Sequence, residues 1–284
     1  MALESMHTIR TREFVGEVYL PSQKNGIGLV IVPSSAGVVD VRERAYARFF
    51  AQNGLHCIIA DPFALMGLDQ CLTDQTAMPM ETLLSSAFEA RRRLFEESNL
   101  RLCGIMGVSK GGAVALLSAL TLPWLAAQPY FDFHTALVPP VHLQLRNPRA
   151  TGGPILILLG EDDDFTPATP ALAYAARIKN KNPDLDLTVR VLPNHAHAWE
   201  SRGEIHWLPF AERYDHCLFM LENDGSVTDA ANGRNMTLAA LRNGLRSLAR
   251  RGAHYGGGDD NSFAATCDQI LSFIMSCARK KSVE

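Results

Sequence analysis

Ser109, Asp163 and His197 are the side chains whose types and settings could turn an alcohol into a nucleophile. A serine hydroxyl attacks a carbonyl at neutral pH only with a base in hydrogen-bond reach. An imidazole base in turn needs a carboxylate to hold its tautomer and stabilise the imidazolium. Ser109 stands at the centre of Gly107-Val108-Ser109-Lys110-Gly111, between an apolar run of strand character and a small-residue helical stretch, Gly111 to Leu117. This G-x-S-x-G pattern implies a sharp strand-to-helix turn, with glycines where neighbouring backbones pass close. Composition alone yields the pattern about 0.1 times in a chain of this length, so the flanking strand and helix carry the signal.

The carboxylate is expected in Gly160-Glu161-Asp162-Asp163-Asp164-Phe165-Thr166-Pro167, directly after the apolar run 155–159. Asp163 is the expected acid, with Asp162 and Asp164 as alternatives; the plainer reading is an acidic cluster that caps the next helix or holds a cation. The base is expected in Pro193-Asn194-His195-Ala196-His197-Ala198-Trp199, where His197 is preferred and His195 is the alternative. Two histidines so close invite a metal, but zinc needs three or four ligands. The other histidines (7, 56, 134, 142, 206, 216 and 254) offer no matching spacing. Neither metal nor cofactor is expected.

Charge developing on a substrate oxygen needs two N–H donors, each worth ~3–4 kcal/mol in the transition state. One is the amide of Lys110, at a helix N-terminus whose dipole favours an anion. The other falls in Pro33-Ser34-Ser35-Ala36-Gly37, at Ser35 or alternatively Ala36. The Lys110 side chain is expected to face solvent.

The elements that position these groups follow from periodicity. Phe14–Leu20 alternates loosely and stops at Pro21, as an edge strand does. Gly28–Val32, Cys57–Ala60, the run before Ser109, Ala136–Val138, Ile155–Leu159 and Leu187–Leu192 read as strands. Helical stretches separate them: Val41–Asn53, with Asp40 as N-cap and Gly54 closing it, about Glu81–Glu97, the elbow helix, and Pro170–Lys179. Strands alternating with helices make an α/β fold with a mostly parallel sheet, and catalytic loops gather at its strands' carboxyl ends. After position 200, Glu222-Asn223-Asp224-Gly225 between apolar runs is a hairpin signal. Two helices near 237–250 and 262–279 close the chain, joined by Tyr255–Asp260, read as a flexible connector. Arg91, Arg92 and Arg93 read as a solvated helix face.

The 284 residues are 47% hydrophobic and 20% charged, with a net charge of −3. That suits one domain over 1–284, with a core of about 14–200 and an extension over 201–284. Without a basic stripe or an apolar run of about 20 residues, neither nucleic acid nor membrane is expected as a partner. Met1–His7 lacks the basic and apolar regions of a secretory leader. Six scattered cysteines (57, 71, 103, 217, 267, 277) read as free thiols, Cys103 as core packing, and the location as cytoplasmic.

These residues together resemble the dienelactone hydrolase family of α/β-hydrolases, over roughly residues 28–200. The likeness rests on loop 33–37, Gly107 through Gly112, Gly160 through Pro167, and Pro193 through Trp199. It implies an α/β-hydrolase fold. The family's G-x-x-D-x-x-x-P pattern places the acid at Asp163, and a small residue then an aromatic after the histidine fits His197-Ala198-Trp199. Dienelactone hydrolase proper uses cysteine where this chain has Ser109, and a glutamate in the oxyanion loop where this chain has Ser34. The expected activity is hydrolysis of a small-molecule carboxylic ester or lactone by a Ser109–His197–Asp163 triad. Acyl transfer on the same triad and a catalytically silent binding protein are the alternatives. Phe63–Gly67 through Met78-Pro79-Met80, and Trp207–Phe210, are candidate pocket linings. The extension could pack on the sheet edge, lid the site or make a homodimer contact.

Overall fold

The structure is a computed structural model that describes residues 3–122 and 129–281. In chain order it begins with β1 (Leu3–Arg10), β2 (Val15–Pro21) and β3 (Ile27–Val32). A wide helical turn (Asp40–Arg44) then runs into α1 (Ala45–Gln52), followed by β4 (His56–Ala60), α2 (Pro62–Met66) and α3 (Met80–Glu97). Next come β5 (Leu102–Val108), α4 (Lys110–Ser118), β6 (His134–Leu137), β7 (Leu143–Leu145), β8 (Ile155–Gly160), α5 (Ala168–Lys181) and β9 (Leu187–Leu192). The remainder holds β10 (His206–Arg213), β11 (Phe219–Leu221), β12 (Ser226–Asp229), β13 (Asn235–Thr237), α6 (Leu238–Leu245), β14 (Arg250–Tyr255) and α7 (Asp260–Lys281).

The main sheet has the order β1-β2-β4-β3-β5-β6-β8-β9, parallel from β4 onward. Strands β3, β5 and β8 carry no polar side chain because both faces are covered. Along β3, Val30 and Val32 pack against the layer of α3, α4 and α5, while Leu29 and Ile31 face α1 and α7. Each such fully buried aliphatic side chain contributes about 1.5–3 kcal/mol. This is the α/β-hydrolase arrangement, and it brings the loops after β3, β5, β8 and β9 to one rim.

Four local expectations need correction. β2 is not the edge, because the polar, alternately exposed β1 pairs outside it; the first two residues of Met1–His7 lie outside the described residues. Asp40 caps no helix: its carboxylate accepts from Arg48 instead. The helix near 237–250 stops at Leu245, and Arg250–Tyr255 forms β14 against β10. Tyr255–Asp260 is no loose connector. The Gly256 amide donates to the His197 carbonyl at 2.9 Å, and a Cβ on Gly258 would lie 2.2 Å from the Trp199 carbonyl oxygen.

The Asp224-Gly225 turn does make a hairpin, β11–β12, with Gly225 at φ 83°. It extends into a four-stranded sheet, β13-β12-β11-β7, in which β11 joins β7 in parallel. Part of the extension is thereby joined to β7 of the preceding core. All six cysteines are free, and Cys103 is fully buried. Arg92 and Arg93 pair with Glu89 on the helix surface, whereas the Arg91 guanidinium lies 4.6 Å from the centre of the Phe95 ring. Among the described residues no helix is long and apolar enough to cross a membrane.

Candidate active site

Ser109 ends the central strand at φ 55° and ψ −120°, a conformation that costs a residue with a side chain about 1–3 kcal/mol. The surrounding contacts enforce it. The Ser109 amide donates to the Leu137 carbonyl at 2.8 Å, and its carbonyl accepts from Ala113 at 2.9 Å. A Cβ on Gly107 would lie 2.3 Å from Gly111, and one on Gly111 would lie 2.2 Å from the Val32 carbonyl oxygen. Only glycine lets β5, α4 and β3 come this close.

His197 Nε2 lies 2.9 Å from Ser109 Oγ, and His197 Nδ1 lies 2.8 Å from Asp163 Oδ2. The carboxylate beside Nδ1 assigns the ring proton to that nitrogen, leaving Nε2 to accept from the serine. Asp163 Oδ1 accepts from the Phe165 and Thr166 amides at 2.9 and 2.8 Å, and Oδ2 also faces Thr166 Oγ1 at 2.8 Å. The Phe165 ring meets the imidazole edge-on, 4.5 Å between centres. All three side chains are buried.

The alternatives are held elsewhere. His195 packs its ring on Trp199, and its Nδ1 lies 2.6 Å from the Pro193 carbonyl. Asp164 is taken by the amide and Nδ1 of His254 at 2.7 and 2.8 Å, and Asp162 is exposed. Gly160 allows the two loops to meet, since a Cβ there would lie 2.4 Å from the His195 carbonyl oxygen. The imidazoles of His195 and His197 engage different partners. Among the described residues no three potential ligands converge on a metal position.

The turn after β3 is fixed by a buried ion pair that sequence reading missed. Glu43 accepts from the Ser34 amide at 3.3 Å, from the Val39 amide at 3.1 Å and from Arg42 Nε at 2.9 Å. Arg42 Nη2 donates to Ser34 Oγ, and that oxygen also accepts from the Ala36 amide at 3.1 Å. The Gly37 amide bonds the Ser34 carbonyl. The Ser35 amide is the one left outside this set, on a residue that borders the same cavity as Ser109 and Lys110.

Lys110 does not face solvent. Its side chain opens α4 beneath the Cys71–Gln75 loop, and its ammonium donates to the Gln75 carbonyl, 3.8 Å from Cys71 Sγ. Burial pushes the Lys110 ammonium below its usual range, partly offset by Cys71. His142, also on the cavity wall, is pushed down to about 4 by burial and by the Lys110 charge, so it is neutral at pH 7.

The cavity beside Ser109 has a volume of about 500 Å³. Met78, Pro79 and Met80 line it as expected, but neither Phe63–Gly67 nor Trp207–Phe210 does. The first of these forms the short helix α2, capped by Asp61; the second is β10, with Trp207 and Phe210 each 49% exposed. Thr166 lay within a motif already singled out. Arg42, Glu43 and Tyr255 carried no local signal, because their contacts cross the whole chain.

The sequence model of the dienelactone hydrolase family matches residues 14–218. The fold is similar to that of MGS-M1, an α/β-hydrolase enzyme from a Medee basin deep-sea metagenome library. There the identity is 10%, the TM-score 0.53, and the coverage 70% of this chain and 85% of that one. A candidate dienelactone hydrolase from Klebsiella pneumoniae is 15% identical at TM-score 0.51, with 70% and 90% coverage. TT1662 from Thermus thermophilus is 16% identical at TM-score 0.51, with 70% and 92% coverage. None of the curated proteins matches the sequence.

Proposed function

Because this chain belongs to the dienelactone hydrolase family, we propose that it is a serine hydrolase that cleaves carboxylic esters or lactones through an acyl-enzyme on Ser109. The observation that carries this reading is the unbroken run of hydrogen bonds from Ser109 Oγ through His197 to Asp163. Ser109 Oγ attacks the carbonyl carbon while His197 Nε2 takes its proton, and Asp163 stabilises the imidazolium. The amides of Lys110 and Ser35 hold the oxyanion, with the α4 dipole behind the first. Collapse returns the proton from His197 to the leaving alkoxide; in a lactone the alcohol stays attached to the acyl group. Water, deprotonated by His197, then attacks the acyl-enzyme and frees Ser109.

Labelling with a fluorophosphonate probe tests the nucleophile. Labelling of the wild type but not of Ser109→Ala supports the reading, and an unlabelled, folded wild type overturns it. Turnover of p-nitrophenyl esters and of simple lactones by the same pair of proteins then distinguishes ester from lactone substrates.

A further inference from the structure

The cavity that opens at Ser109 is lined by residues of α3, α4, α5, the 139–142 loop and β7, and part of its wall comes from beyond the family match. That match ends at residue 218, whereas Leu221 of β11 and Leu238, Leu241 and Leu245 of α6 all border the cavity. The three α6 leucines are spaced three and four apart, which places them on one face of the helix. Met80, Leu84, Leu116, Leu122 and Val141 line the same cavity. This lining is aliphatic and, at the methionine, adaptable. Its volume falls within the ~300–1,000 Å³ of small-molecule sites.

The cations on the wall are already engaged. Lys110 donates to the Gln75 carbonyl; Arg177 donates to Gln144 Oε1 at 2.6 Å and to the Leu145 carbonyl at 2.7 Å. Arg213 donates to the Asp164 carbonyl at 2.7 Å, and Arg242 pairs with Glu81 at the rim. An anionic substrate tail would have to break one of these pairings and would meet Glu81, Glu212 and Asp215 on the same wall, whereas a hydrocarbon chain only displaces water from apolar surface.

We infer that this cavity takes the aliphatic chain of an ester with no anionic group on that chain, its carbonyl at Ser109, and that α6 sets the longest chain admitted. The inference rests on the proposed nucleophile, and it assigns a substrate class to that same site. Each methylene buried along the wall raises kcat/KM by about four-fold until the chain meets α6.

Two substrate series test it: p-nitrophenyl esters from acetate to palmitate, and alkyl acetates from methyl to dodecyl. A rise and then a fall with length in the first series supports the inference with the acyl half in the cavity; the same profile in the second supports it with the alcohol half. Leu241→Ala moves the optimum to longer chains and Leu245→Trp to shorter ones, with thermal unfolding used to verify that each variant folds. Flat profiles in both series, or an optimum unmoved in both folded variants, overturn it. Calorimetric titration of Ser109→Ala with methyl octanoate separates the two readings. Binding there, without any ester turnover by the wild type, keeps the cavity assignment and removes the nucleophile. Turnover of acetates without that binding removes the cavity assignment alone.

Discussion

Arg42 and Tyr255 stand 213 positions apart in sequence, yet Arg42 Nη1 donates to the Tyr255 hydroxyl at 2.8 Å. The same guanidinium reaches Ser34 Oγ and Glu43, so it grips the turn that carries Ser35. Tyr255 in turn bonds Ser201 Oγ at 2.7 Å, and the next residue's amide holds the His197 carbonyl. One fully buried side chain thereby joins the proposed oxyanion turn to the histidine loop. Arg42→Met leaves Glu43 as an uncompensated buried charge and costs about 3–5 kcal/mol in urea unfolding. Tyr255→Phe removes one hydrogen bond and costs about 1 kcal/mol. If Arg42→Met unfolds at the wild-type urea midpoint, this link is not what holds the two loops.

Ser109→Ala and His197→Ala each lower kcat by at least about 10⁴-fold without changing the urea midpoint by much, since each removes a member of a unit that acts together. His195→Ala retains most activity, because its ring rests on Trp199 away from the serine. Initial rates on one p-nitrophenyl ester decide between them. Full activity in His197→Ala with loss in His195→Ala would reverse the assignment of the base.

Glu200 makes stability depend on pH. It is fully buried, neither carboxylate oxygen has a hydrogen-bond partner among the described residues, and burial pushes its carboxyl up to about 7, against the pull of Arg42 and His197. Below about pH 4.5 both folded and unfolded chains hold the proton. Between there and pH 7 only the folded chain does, so stability falls as pH rises, by on the order of 3 kcal/mol, and levels off above. Glu200→Gln abolishes that part of the slope and gains stability over the wild type at pH 8. Urea midpoints at pH 5 and pH 8 measure it, and parallel slopes in both proteins would show that Glu200 does not titrate in this window.

Gly111→Ala tests the elbow's crowding. The new methyl would lie 2.2 Å from the Val32 carbonyl oxygen, so β3 or α4 must shift. Overpacking of this kind costs about 1–3 kcal/mol, and moving the turn by about 1 Å costs about 100-fold in rate. Activity therefore falls much further than the melting temperature does. Unchanged kcat in this variant would show that the close approach is not needed.

The sheet, its crossover helices and the two loops that approach Ser109 were legible in the sequence because each rests on short-range physics. Apolar runs of five or six residues become buried strands, and Gly107 and Gly111 stand where backbones must pass within van der Waals contact. The same local rules narrowed the acid to a run of three aspartates and the base to two histidines. Asp163 and His197 were preferred among these neighbours, but whether either reaches Ser109 depends on how the loops after β8 and β9 meet across the rim.

What only the tertiary structure decided has one physical cause: the partners lie far apart along the chain. Lys110 is buried because the Cys71–Gln75 loop folds over it, and Arg42 meets Tyr255 only once β14 is in place. Residues 256–258 read as loose because three glycines signal flexibility, yet they are small so that the chain can lie flat against His197 and Trp199. The cavity is likewise bordered by the leucines of α6, more than a hundred residues beyond Ser109 in the chain. Composition and periodicity determined which faces had to be buried; packing across more than a hundred residues determined what each face was buried against.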